Sequence, residues 1–332
     1  MPALKLLLAP LLLAGFVQQG QPSMATWVTV QVPAEAEVHR AAAFAEFDRV
    51  EQELNEWKAG SPLATVNAGA GGPPVAVPPA LLAAVQRGLE LGRITDGAFD
   101  VSWAALWGLW DFRAEDPQVP SPEAIAARVA RIDHRKVTVD PSASTVALPA
   151  GMKLGLGGMA KGWALDRAAA ALRERGVSDF LLSAGGQVLA GGDKEGTPWR
   201  VGVRDPRGTA EDYFAVVAVR DGSVSTSGDY ERCFVRDGVL YHHILDPRTG
   251  RPARGLRSVT VVAPEATLAD ALSTALMILG EERGLALVES LPGVEALIVD
   301  DSGGWSASSG LAPHLEVVHP PTSTALPTCA PG

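Results

Sequence analysis

From Phe180 onward the sequence is cut into short apolar stretches by Gly, Asp and Pro clusters, and this interruption most limits the folds open to it. Phe180–Ser183, Val188–Ala190, Trp199–Val203, Phe214–Val219 and Leu240–Leu245 have strand length and hairpin-like spacing, which predicts a mainly antiparallel sheet. Val259–Val262 and Leu297–Asp300 extend the series. Upstream, Trp27–Val32 alternates as a half-buried strand. Helical spacing takes over from Glu35, with Phe47, Val50, Leu54 and Trp57 on one face. Further helices are predicted from Pro79 to Gly92, after the Ser121-Pro122 start signal, over Gly162–Glu174 with Gly176 as its stop, over Thr267–Leu279 and over Glu282–Ser290. Short strands are expected at Val137–Val139 and Val146–Leu148. Runs of strands mixed with helices give an α+β class: mixed, largely antiparallel sheets with flanking helices.

Composition narrows the function classes. Of 332 residues, 47% are hydrophobic and 20% charged, which excludes a disordered chain. The net charge of −10, with no basic tract, argues against nucleic acid or anionic membrane as a partner. Two cysteines, Cys233 and Cys329, lie far apart and read as unpaired, so neither a disulfide scaffold nor a Cys-based zinc site is expected. Lys5, the Leu/Ala-rich run to Phe16 and the polar Gln18–Gln21 stretch read as an export leader over residues 1–22, too short to span a bilayer comfortably. No Cys follows it, so an exported, periplasmic or extracytoplasmic protein without a lipid anchor is expected, tied to a membrane only if the leader stays uncleaved. Residues 23–316 then form the domain, and 317–332 a disordered Pro-rich tail.

Four clusters have residue types suited to chemistry. Lys153-Leu-Gly-Leu-Gly-Gly-Met-Ala-Lys161-Gly162 is a glycine-rich turn running into a helix, where free N–H groups and the helix dipole favour a phosphate. It matches neither a Walker loop nor the dinucleotide spacing, and a purely structural turn fits it equally well. Asp270 and Thr274, four apart on a helix, present a carboxylate and a hydroxyl to one face, as a hard cation requires; Thr267 with Asp270 also reads as a capping box. His242 and His243 on one strand face opposite ways, so at most one of them easily enters a given pocket, where a histidine can serve as a general base. The following Asp-Pro-Arg-Thr-Gly250, like Thr226-Ser-Gly-Asp-Tyr230, either lines a site or turns the chain. Trp103, Trp107 and Trp110 follow Gly97-Ala-Phe-Asp100, as stacking surfaces or as core.

Taken in order, these clusters resemble the FAD:protein FMN transferases, the ApbE-type proteins. The resemblance runs from Met24-Ala-Thr-Trp through Trp57, Gly97-Ala-Phe-Asp100, Leu156-Gly-Gly-Met-Ala-Lys161-Gly with Asp166, Ser183-Ala-Gly-Gly186 and Thr226-Ser-Gly-Asp-Tyr230. It ends with His243-Ile-Leu-Asp-Pro-Arg-Thr-Gly250 and Ala269-Asp270-Ala-Leu-Ser-Thr274. It implies a Mg²⁺-dependent enzyme that splits FAD, joins FMN by a phosphoester bond to a Thr or Ser of a target flavoprotein and releases AMP. It further implies Asp270, Thr274 and the Gly158 carbonyl as Mg²⁺ ligands. Lys161, Met24, Trp57, Ala98, Phe99, Asp100, Ile244 and the Gly155 position would enclose FAD, and His243 with Asp270 would serve catalysis.

Two departures stand out. The resembled family usually carries Asp where this chain has Gly155, and Asn and Asp near Ser183 and Gln187. Loss of the Gly155 carboxylate leaves two other expectations open: an FAD-binding protein without transfer, and a metal-dependent FAD pyrophosphatase giving FMN and AMP.

Overall fold

A computed structural model describes residues 15–324, 326, 327 and 329. Its centre is an eight-stranded antiparallel sheet whose strands follow one another in space in chain order. They are β1 (Phe16–Ser23), β2 (Thr26–Pro33), β3 (Phe180–Ala184), β4 (Gln187–Gly191), β5 (Gly222–Gly228), β6 (Leu256–Ala263), β7 (Glu295–Asp300) and β8 (Trp305–Ala307). The long insertions between them build everything else, so the expected α+β class holds.

One face of the sheet carries helices. Arg40–Leu54 packs on Ala160–Arg173, which packs on Ala266–Leu279, and the last lies across β5 and β6. Buried Val28, Val30, Phe44, Phe47, Val50, Leu165, Leu172 and Phe180 join these layers in one apolar core. On the other face a three-stranded sheet (Trp199–Arg204, Tyr213–Val219, Leu315–Val317) closes a second core through Trp199, Phe214, Val217, Leu297 and Val299. No helix among the described residues is long and apolar enough to cross a membrane.

The helix contact explains one glycine of the central motif. A Cβ on Gly162 would sit 2.2 Å from the Ala266 carbonyl oxygen and 2.7 Å from the Thr267 Cα, backbone that cannot swing away. Gly162→Ala is therefore expected to lower unfolding free energy by about 1–3 kcal/mol, read as a shift of the urea midpoint at constant slope.

Four expectations are corrected. Residues 16–22, read as the end of a leader, are the edge strand β1, paired with β2 in register from Phe16↔Pro33 to Ser23↔Thr26. The polar Gln18–Gln21 pattern runs along a strand at the sheet's rim, and residues 1–14 of the expected leader lie outside the described residues. The described part of the Pro-rich tail is tied down rather than loose. Leu315–Val317 pairs with Ala215–Val217, and Thr322 donates its N–H and hydroxyl to Asp205 (3.0 and 2.7 Å). Cys233 and Cys329 form a disulfide across 96 residues of separation. Finally, the first helix ends at Leu54 and Trp57 lies beyond it, 70% exposed, so it does not share the buried face of Phe47 and Val50.

Candidate active site

A cavity of about 600 Å³ opens where the β1–β2 turn, the ends of two helices and the glycine-rich turn converge on β5. Its size is that of a small-molecule site. A second cavity of about 340 Å³, beside Gln19, Arg40 and Asp48, contains none of the motif residues.

The floor is ionic. Asp270, only 5% exposed on the first turns of Ala266–Leu279, accepts a hydrogen bond from the Gly162 N–H (3.0 Å) and faces the Lys161 ammonium at 3.8 Å. Burial pushes its carboxyl above the ordinary carboxylate value, while Lys161 and the Gly162 N–H pull it back. The capping-box reading of Thr267 and Asp270 is not realised. Asp166 takes that task from the neighbouring helix, accepting the N–H groups of Ala266 and Thr267 (2.8 Å each) and the Thr267 hydroxyl (2.5 Å). Asp270 is thereby left facing the cavity, with the Thr274 hydroxyl one turn along and 3.4 Å from Ser227 Oγ.

The oxygen-rich set suits a hard cation. Asp270, Thr274 and Gly158 all line the cavity, and a buried carboxylate with a single cationic side chain nearby has coordination capacity to spare. Among the described residues no group of three or more His, Cys, Asp or Glu gathers as a metal site, so a cation here would rest on Asp270 with hydroxyl and carbonyl oxygens rather than on a carboxylate or histidine cluster.

His243 stands over this floor and His242 does not. His242 points into the scaffold, with Nε2 against the Ala253 carbonyl (2.9 Å) and Nδ1 accepting from Ile244 N–H (3.4 Å). His243 lines the cavity, its backbone N–H donating to the Arg232 carbonyl (3.0 Å). Burial first, then the charges of His242, Arg232 and Lys161, lower its pKa to about 3, so the imidazole is neutral at physiological pH. Its Nδ1 is buried without a partner among the described residues.

Of the residues expected to enclose FAD, Met24, Trp57, Ala98, Phe99, Asp100, Lys161 and Ile244 line the cavity. Met24 and Ala25 form the two-residue β1–β2 turn with φ of 54° and 55°, a left-handed conformation costly for residues other than glycine. Glu51 holds it, accepting from Met24 N–H (3.0 Å) and Ser23 Oγ (3.2 Å). Glu51 had no motif to mark it. Asp100 lines the cavity but its carboxylate is committed elsewhere, to the N–H and Oγ of Ser102 (2.7 and 2.5 Å) and to the N–H and Nδ1 of His134 (3.0 and 2.9 Å). Burial raises that carboxyl, but these bonds outweigh it and hold the group below its ordinary value.

Gly155 is the exception: it does not line the cavity. A Cβ there would meet Ala104 Cβ, Trp107 Cζ2 and Trp103 Nε1 at 3.0–3.2 Å, and its carbonyl accepts from Trp103 Nε1 (3.1 Å). The tryptophans fill the space a side chain at 155 would take, so Gly155 supports them from beneath. Gly155→Asp is expected to destabilise the fold by about 1–3 kcal/mol, seen as a lower melting temperature, and to leave FAD affinity no tighter.

Another residue went unmarked in the sequence. Glu56 lines the cavity beside Gly157, and burial raises its pKa to about 7. A carboxyl raised in the folded state contributes stability that is full below about pH 4.5 and lost as pH rises through about 7. Glu56→Gln is expected to flatten the fall in unfolding free energy between pH 5 and 8, by up to about 3 kcal/mol, measured by urea titration at each pH.

Residues 24–298 match the ApbE family model. The FAD:protein FMN transferase of Treponema pallidum is 40% identical over 301 residues, 85% of this chain and 83% of that protein. The Vibrio cholerae FAD:protein FMN transferase is 34% identical over 280 residues, 81% and 84% of the two chains. Among solved structures, the ApbE protein of Thermotoga maritima superposes with a TM-score of 0.83 at 34% identity, over 90% of this chain and 99% of that one. The flavin transferase ApbE of Vibrio cholerae gives 0.79 at 29% identity, over 90% and 99%. Fold, motif order and cavity together define a flavin transferase. The chain belongs to the ApbE family.

Proposed function

We propose that this protein transfers FMN from FAD to a Thr or Ser hydroxyl of a target flavoprotein, releasing AMP. The observation that carries the reading is the convergence of Asp270, Thr274, Lys161 and a neutral His243 on one cavity. The acceptor hydroxyl attacks the FMN-side phosphorus of the FAD pyrophosphate, a P–O bond to the hydroxyl forms, and the bridging P–O bond breaks as AMP leaves. Such a transfer depends mainly on positioning and charge neutralisation. Lys161 offers an ammonium, 33% exposed, to the flavin-side phosphate. His243, uncharged, receives the hydroxyl proton. Phe99 and Met24 supply apolar wall against the flavin and keep water off the phosphorus. A Mg²⁺ held by Asp270, Thr274 and the Gly158 carbonyl would neutralise phosphate charge when bound.

Incubation of the purified protein with FAD, Mg²⁺ and a threonine-bearing acceptor should add the mass of FMN to the acceptor and release equimolar AMP. Intact FAD and unmodified acceptor would overturn the reading, and AMP with free FMN would select hydrolysis instead.

Export is part of the proposal. A disulfide between Cys233 and Cys329 suits an oxidising compartment outside the cytoplasm. Fusion of residues 1–22 to a reporter that folds only after export tests it; a reporter retained in the cytoplasm would count against it.

A further inference from the structure

The phosphate chemistry proposed above gives Lys161 to the flavin-side phosphate and names no side chain for the AMP-side phosphate. FAD carries two linked phosphates, and the step transfers one while the other leaves on AMP. Lys161 is already paired with Asp270, so its ammonium is shared between the floor and the flavin-side phosphate. A cation is needed where the leaving phosphate gains charge.

Arg232 lines the same cavity. Its neighbour Glu231 also lines it but turns toward Arg204 (3.4 Å), leaving the Arg232 guanidinium with no carboxylate partner among the described residues. The backbone around it is held from several sides. Its carbonyl accepts from the His243 N–H (3.0 Å), Cys233 is locked to Cys329, and Asp229 makes a two-pronged pair with Arg207 (2.7 Å in both contacts). Arg204 also lies over the buried Tyr230 ring, 4.6 Å from its centroid. The segment thus fixes the root of a long cationic side chain near the imidazole, and Arg232 is an exposed residue of the cavity lining.

We propose that Arg232 is the catalytic residue that binds the AMP-side phosphate and stabilises it as the leaving group. This rests on the FMN-transfer reading. As the bridging P–O bond breaks, its electron pair goes to the AMP phosphate, which passes from a singly charged diester to a monoester carrying up to two charges. A guanidinium offers two parallel donors to that group, so its bonds strengthen as the charge develops. The interaction is worth more to departing AMP than to bound FAD, which raises kcat rather than merely lowering KM.

The test compares Arg232→Ala and Arg232→Lys with the unaltered protein, by direct AMP, FMN and FAD binding as well as by turnover. For Arg232→Ala we expect AMP affinity to fall about 10- to 100-fold, FMN affinity to change less than threefold, and kcat to fall about 10²- to 10³-fold. FAD affinity should fall less than AMP affinity. Arg232→Lys, which keeps the charge without the fork, should recover part of both losses, and this separates a charge effect from a folding defect. Unchanged AMP affinity would overturn the proposal. So would a raised KM for the acceptor protein at constant kcat, which would move Arg232 to acceptor recognition. If the unaltered protein binds AMP through Arg232 yet forms no FMN–protein adduct, the transfer reading fails and the phosphate site stands. If it forms the adduct while Arg232→Ala binds AMP normally, only the present inference fails.

Discussion

Asp270→Asn is expected to reduce FMN transfer by about 10³-fold, or roughly 4 kcal/mol of barrier, with little change in melting temperature. The two halves of that expectation have separate causes. Asp270 brings the only full negative charge to the oxygen set it forms with Thr274 and the Gly158 carbonyl, so an amide removes most of the attraction for a divalent cation. Stability should hold because burial already disfavours the ionised form. A carboxyl raised by burial adds stability at low pH and gives it up as pH rises through its raised value, so a neutral amide removes a cost at neutral pH. Asn Oδ1 can still accept the Gly162 N–H, and the Lys161 head, one-third exposed, can turn to water. Calorimetric Mg²⁺ titration, thermal melting and single-turnover transfer would be read together. Transfer within threefold of the unaltered protein would remove Asp270 from metal binding, and a collapsed melting temperature would make it a structural residue instead.

How far the sequence could be read depended on where each element keeps its partners. The helix at Ala160–Arg173 was legible because its apolar spacing and its glycine stop are local, and Ser121 caps its helix by accepting from Ala124 N–H (3.2 Å), as the Ser-Pro signal predicts. In sequence, β5 reads as a site-lining or turning segment rather than a strand, since Gly222–Gly228 is almost free of apolar side chains. It is nonetheless buried, because its hydroxyls pair sideways: Thr226 with Thr260 (2.7 Å) and Ser227 with Ser273 (2.9 Å). Hydrophobic periodicity does not register a strand whose polar groups are satisfied in this way. The disulfide and the tail contacts of Thr322 join residues far apart in the chain, so no local pattern announces them.

The site shows the same division. Asp270, Thr274, Lys161 and His243 stand out through the motif resemblance together with residue type and spacing, and all four line one cavity; the strand that carries His242 ends at that residue, and His243 follows it in a bend. Asp100 lines the cavity with its carboxylate already hydrogen-bonded, and Gly155 lies outside the lining. The Asp100 carboxylate is consumed by Ser102 and His134, and the space above Gly155 by two indoles. Both outcomes depend on neighbours brought in by the Val101–Leu106 turn and by His134, more than 30 residues downstream of Asp100.

The imidazole of His243 supplies the second large effect. Its pKa of about 3 makes it a poor base in the free protein, and the cause is partly the cations around it, Arg232 and Lys161. The FAD pyrophosphate brings negative charge to those same cations, which relieves their repulsion of a proton and lifts the imidazole toward the range where it accepts one effectively. The base is thus strengthened by the substrate it serves. His243→Ala should lower kcat by about 10²- to 10³-fold while FAD affinity changes less than threefold. In a Glu56→Gln background, where the neighbouring carboxyl no longer titrates, kcat/KM should show no limb from His243 between pH 5 and 8. The acid limb of kcat should lie above that of kcat/KM, because only the FAD complex has the raised imidazole. The alanine variant should lose that limb, and added imidazole should restore part of the rate by filling the space the ring leaves. An equal loss in kcat/KM and in FAD affinity would move His243 from proton transfer to flavin binding. A kcat limb that survives in the alanine variant would place the titrating base elsewhere in the cavity.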